Sequence, residues 1–149
     1  MICFAEWYLQ HKIEDYYEVD KDILYQGNLE YSPDTCVMIP KYLNQGIAQS
    51  RATSGPYLKG ACKPADKDPN RKSERSKPFL GTWKNSPHYA TQEEAHFGWV
   101  AHRIDKIEGY IEIYKQERLP SLMVIEALAK RVEILKNAII SETVIESFY

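Results

Sequence analysis

From Tyr16 to Ser50 the residue pattern admits one order of elements: strand, strand, helix. Tyr16–Leu24 reads as a strand and Thr35–Ile39 as its partner. Between them, Gly27-Asn28 and Ser32-Pro33 are turn signals, each able to reverse the chain. Pro40 cannot donate to a ladder but suits the first position of a helix, which is expected over roughly 41–50. Ahead of this block, residues 2–13 predict a short helix with Phe4, Trp7, Tyr8 and Leu9 on its apolar side.

Beyond Ser54 the composition changes. Gly55, Pro56, Gly60, Pro64, Pro69, Pro78, Gly81 and Pro87 cut the chain into short pieces, of which Tyr57–Cys62 and Phe79–Trp83 read as strands. The polar Lys63–Lys77 segment between them predicts a loop. Thr91 followed by Glu94 has capping-box spacing and starts a helix at Gln92. Phe97, Val100, Ile104, Ile107, Ile111 and Tyr114 then recur at spacings of three and four, enough for a helix of about 24 residues. Leu119-Pro120-Ser121 breaks it. A second seam follows in Leu122, Ile125, Ala129, Val132, Leu135 and Ile139.

Two such helices are expected to fold back as a hairpin, or to offer one seam to another copy of the chain. The predicted class is α+β: a ββα finger, a small antiparallel sheet packed on a helix, and a long C-terminal helical hairpin. The regions expected are 1–52, 53–115 and 116–149, the last serving homo-oligomerisation.

A chain of 149 residues can bury a core without disulfides. Its three cysteines, Cys3, Cys36 and Cys62, have no paired spacing and fit a reducing compartment. No run is long and apolar enough for a membrane span, and the early charge of Glu6 is unlike a signal peptide, so a soluble cytoplasmic protein is expected. The net charge of -2 argues against a dominant non-specific grip on DNA. Basic residues nonetheless crowd the middle, at Lys59, Lys63, Lys67, Arg71, Lys72, Arg75, Lys77 and Lys84. They form either a local phosphate-binding patch or a solvated loop.

The finger block carries the residues with chemistry. Hydrolysis of a phosphodiester at a single divalent cation needs hard oxygen ligands and a means of activating water. Asp20 at a strand end and Asn44 on the following helix supply oxygens, and Asn28 suits a turn held by side chain to backbone bonds. A base is expected beside the acid, and Lys21 stands there. Lysine is protonated at neutral pH, and Asp20 and Asp22 on either side favour the charged form. On chemistry alone Lys21 is a phosphate contact or a salt-bridge partner.

The run Val19-Asp20-Lys21-Asp22-Ile23-Leu24, with Gly27-Asn28, Tyr31-Ser32-Pro33-Asp34-Thr35-Cys36-Val37-Met38-Ile39-Pro40 and Asn44, resembles the finger of phage-encoded HNH (His-Me finger) homing endonucleases. Gly55–Lys63, Phe79-Leu80-Gly81-Thr82-Trp83 and Thr91-Gln92-Glu93-Glu94-Ala95-His96 are similar to the attached module of the plant ethylene-response-factor type. The likeness covers roughly residues 2–105. It implies a ββα-metal core that nicks double-stranded DNA with Mg2+ or Mn2+ in a bacterial host cell, and a small sheet that reads DNA.

Carried over by position, Asp20 and Asn44 match the metal ligands, Lys21 the general base and Asn28 the loop asparagine. Lys59, Lys63, Arg71, Lys72, Arg75, Lys77 and Trp83 are the expected nucleic-acid or phosphate contacts. The chain departs from the pattern in having lysine for the basic histidine, in beginning within the segment that normally precedes the finger, and in its helices beyond about residue 105.

His96 and His102 lie about 120° apart around one helix and cannot chelate a single ion. Trp83, Trp99 and Tyr89 are expected to pack, as is Cys36. Two function classes follow. One is a nuclease-type DNA-binding protein, cutting or lapsed. The other is a non-enzymatic phage anti-defence protein that sequesters a nucleotide signal or blocks a host factor as a homo-oligomer.

Overall fold

The computed structural model describes residues 3–47, 56–64 and 77–146. Within them the order is α1 (Phe4–His11), β1 (Tyr17–Asp20), β2 (Val37–Pro40), α2 (Lys41–Ile47), β3 (Ala61–Cys62), β4 (Phe79–Gly81), β5 (His88–Tyr89), α3 (Gln92–Tyr114) and α4 (Leu122–Ile140). Two small antiparallel sheets, β1-β2 and β3-β4-β5, accompany a C-terminal helical hairpin of α3 and α4, so the α+β class is as expected. By contacts the chain forms two compact units. One joins α1, β1, β2 and α2 with Lys106–Glu133; the other joins the three-stranded sheet with the first half of α3 and the end of α4.

In the first unit the register pairs Tyr17 with Pro40, Glu18 with Ile39, Val19 with Met38 and Asp20 with Val37. Opposed residues of an antiparallel pair share a face. Tyr17, Val19 and Met38 therefore lie together, and they pack with Trp7 of α1, Tyr8, Ile13 and Cys36. The other face carries Glu18, Asp20, Val37 and Ile39, and α2 packs against both strands. Ile39 and Leu43 are fully buried, and Tyr42 stacks on Tyr110 of α3 at a ring separation of 6.3 Å. Strand, strand, helix is thus realised, although β1 is shorter than the predicted Tyr16–Leu24 because the chain turns immediately after Asp20.

A carboxylate ties this unit together. Glu117, just past α3, accepts hydrogen bonds from the hydroxyls of Tyr16 (2.7 Å), Tyr42 (2.8 Å) and Tyr17 (3.5 Å). Burial, together with that carboxylate, pushes the Tyr17 and Tyr42 hydroxyls well above the ordinary phenol range, so they remain donors. At the break between the long helices, the Ser121 amide donates to the Tyr114 hydroxyl at 2.9 Å.

In the second unit β4 is central, pairing Gly81 with Ala61 and Phe79 with Tyr89. The strand β5 is not among the sequence expectations: two residues beside Pro87 carry no period to read. Gly60 turns the chain into β3 with φ of 79°, and a Cβ there would collide with the Trp99 ring. Thr91 Oγ1 accepts from the Glu94 amide at 3.2 Å, as a capping box requires, whereas the Glu94 carboxylate takes the Ala90 amide at 3.1 Å.

The α3 seam is buried at Val100, Ile104, Ile107, Ile111 and Tyr114, with Phe97 half-buried. The α4 seam is corrected. Leu122 is 67% exposed, Ala129 and Ile139 are also exposed, and the buried stripe is Val124, Leu128, Arg131, Val132, Leu135 and Ala138. Apolar residues surround this helix, so spacing alone admits two stripes, and a buried arginine counts for neither.

His96 is 0% exposed. Its Nδ1 meets the Lys59 carbonyl at 2.6 Å and its Nε2 meets the Ile145 amide at 3.0 Å. A carbonyl on one side and an N–H on the other fix the neutral tautomer with the proton on Nδ1. Burial lowers its pKa from the ordinary 6.5. Folding therefore gains this contribution fully above about pH 6.5 and loses it as pH falls below that value. Thermal melts should show Tm falling between pH 7.5 and 5.5, with a flatter dependence in His96→Gln. An equally steep fall in that variant would contradict the assignment.

Candidate functional site

The chain leaves β1 at Asp20 through a turn that the Asp20 side chain itself closes. Asp20 Oδ1 accepts from the backbone amides of Asp22 (2.9 Å) and Ile23 (2.5 Å). Burial pushes this carboxyl above the usual carboxylate range, opposed by those two amides and by the nearby charge of Arg131. Among the described residues Oδ2 has no hydrogen-bond partner.

Alternation along β1 places Glu18 on the face that holds Asp20. Asn44 reaches this face from α2, its Nδ2 donating to Glu18 Oε2 at 2.9 Å. The acid and the amide of the sequence prediction thus flank the same side of the hairpin. Glu18 is the member that sequence reasoning missed. A glutamate alternating with Tyr17 and Val19 reads as a solvated strand position, and only the packing of α2 gives it a partner.

Lys21 follows Asp20 but is committed elsewhere. Its ammonium contacts Asp22 Oδ2 at 2.9 Å and donates to the Asn28 carbonyl at 2.9 Å, 5.7 Å from the Tyr31 ring centroid. The bond to Asp22 raises its pKa above 10.5, so it stays protonated. Asn28 holds the loop as expected. Its Nδ2 donates to the carbonyls of Lys21 (3.2 Å) and Glu30 (2.6 Å), and its Oδ1 accepts from the Glu30 amide at 3.1 Å. Gly27, with φ of 78°, makes the preceding turn.

For a divalent cation the donors on offer are the free oxygen of Asp20, the carbonyl oxygen of Asn44 and the second carboxylate, Glu18. No group of three or more His, Cys, Asp or Glu side chains gathers as a metal cluster among the described residues. Carboxylate and amide oxygens are the donors that Mg2+ and Mn2+ take, hard ions that keep several waters and accept further oxygens from a phosphate.

In the second unit, Lys59 lies at the turn before β3 with its ammonium 5.8 Å from the Trp99 ring, and burial lowers its pKa. Lys63 follows β3, with Nζ 4.7 Å from the Phe79 ring centroid. Trp83 covers Gly81 and stacks on His102 of α3 at 4.9 Å. Lys59 and Trp83 thus both meet α3, on the side of the sheet where Ala61 and Gly81 are buried. The opposite face carries Cys62, Leu80 and His88. Lys77 precedes β4, while Arg71, Lys72 and Arg75 lie outside the described residues.

Asn28 makes a sharp prediction about the finger loop. Asn28→Ala should cost about 1–3 kcal/mol of local stability, read as faster chymotryptic cleavage at the exposed Tyr25, Leu29 and Tyr31. Unchanged cleavage would show that the loop is held otherwise. No family model, curated protein or solved structure matches this chain.

Proposed function

We propose that the β1-β2-α2 finger is a double-stranded DNA-nicking site of the phage HNH type, with Mg2+ or Mn2+ held by Asp20 and Asn44. The observation that carries the reading is the approach of Asn44 to the strand face that bears Glu18 and Asp20. A divalent ion, when bound, stabilises charge on the phosphate oxygens and makes its own water more acidic. The chain's part is positional. The turn amides of Asp22 and Ile23 hold one oxygen of Asp20 and leave the other for the ion. Asn28 keeps the adjoining loop in register with Lys21.

Lys21 contributes a fixed positive charge in the adjoining loop, bonded to Asp22 and to the Asn28 carbonyl, rather than accepting a proton. In this reading Lys59, Lys63, Arg71, Lys72, Arg75 and Lys77 add phosphate contacts and Trp83 supports the second unit's sheet. The net charge of -2 keeps that grip local and salt-sensitive.

Nicking of supercoiled plasmid with Mg2+ or Mn2+ tests this. Asp20→Ala and Asn44→Ala should each lower the rate about 100-fold or more, a loss of about 3 kcal/mol of transition-state stabilisation. Lys21→Arg should stay within several-fold of the parent, since charge is what that position contributes. A Lys21→Arg variant as inactive as Asp20→Ala would instead make Lys21 the base.

A second reading is favoured by the same commitment of Lys21, which leaves the finger without a base. On that reading the protein is a non-enzymatic anti-defence binder of a nucleotide or a host factor. The exposed Leu122, Met123 and Ile140 of α4 support its assembly as a homo-oligomer. Absence of nicking and of salt-sensitive DNA binding, with a nucleotide-induced rise in Tm and a dimer or larger species on a sizing column, would favour it.

A further inference from the structure

Arg131 sits on α4, in a segment with no counterpart in the finger pattern, and is only 8% exposed. A guanidinium so deeply placed is costly unless its donors and charge are satisfied. Its Nη2 donates to the carbonyls of Asp22 at 2.9 Å and Ile23 at 3.2 Å. These are the two residues whose amides hold Asp20 Oδ1. Both residues of the turn are therefore held on two sides, the N–H by the acid of the finger and the C=O by a cation from a distant helix, and the Asp22–Ile23 peptide is held at both its ends.

We propose that Arg131 is a positioning residue for Asp20, fixing from α4 the turn that orients the Asp20 carboxylate. The inference rests on the reading of Asp20 as a site residue, and it makes α4 part of the finger rather than an appended oligomerisation helix. Ile23 is anchored by its buried side chain, whereas Asp22 is half-exposed and depends on these hydrogen bonds for its place. Arginine suits the task better than lysine because its planar, weakly hydrated head tolerates burial.

The test uses the full chain with Arg131→Met and Arg131→Lys. By NMR-detected hydrogen exchange, Arg131→Met should speed exchange at the Asp22 and Ile23 amides about tenfold or more while the β1-β2 ladder amides keep their protection. In plasmid nicking the same variant should lower kcat about tenfold with KM for DNA unchanged, the mark of lost positioning rather than lost binding. Arg131→Lys, which keeps the charge but not the planar fork of donors, should recover part of both effects.

Unchanged exchange at Asp22 and Ile23, or a rise shared equally by the ladder, would overturn the proposal. So would altered exchange with an unaltered kcat in an active protein. Should Arg131→Met fail to fold, the Arg131→Lys variant carries the same comparison with smaller changes of the same pattern. If the parent protein does not nick DNA, the nuclease reading fails, while the exchange pattern still decides what Arg131 holds.

Discussion

A two-stranded sheet with four residues in each strand does not stand alone in water. This finger persists because both of its faces are covered and its polar ends are tied to distant chain. Trp7 of α1 and Cys36 close one face, and α2 closes the other. Burial of Ile39, Leu43 and Tyr17 supplies the non-directional part of the stabilisation. The directional part comes from Lys106–Glu133. Glu117 gathers three tyrosyl hydroxyls, and Arg131 takes two turn carbonyls. Hydrogen bonds to a charged partner are the stronger kind, so these two residues set where the hairpin and its turn come to rest.

This arrangement separates two roles that lie next to each other in sequence. Asp20 faces the α2 side, with one oxygen occupied by backbone and the other open. Lys21, one residue on, turns into the loop and closes it against Asp22 and Asn28. Alternation in an extended chain makes such a division natural, since neighbours leave opposite faces. The chemistry that the finger can offer is therefore oxygen ligation and fixed positive charge. Proton abstraction by Lys21 would require breaking its pair with Asp22.

Much of the local architecture was legible because turn residues punctuate it. Gly27-Asn28, Ser32-Pro33 and Pro40 bound the finger, and Thr91 with Glu94 starts α3 where the spacing puts it. What was not legible depends on closure at long range. Glu18 has meaning only once Asn44 arrives, and the burial of Arg131 only once α4 meets the Asp20 turn. The α4 stripe differs from its expected course for a related reason: Val132 and Leu135 are buried as expected, but Leu122, Ile125 and Ile139 are as apolar as Val124 and Leu128, so composition cannot choose between faces. The two-residue β5 escaped because pairing with β4, not its own sequence, makes it a strand.

The claim at the centre is that Asp20 and Asn44 form one cation site. It is tested most directly by titrating the isotope-labelled protein with Mn2+ and following paramagnetic broadening of side-chain signals. The account predicts that Asp20 and Asn44 broaden first and together, with Glu18 close behind, and that excess Mg2+ restores them. Broadening that begins at other carboxylates, or spreads evenly over the exposed acids, would contradict it.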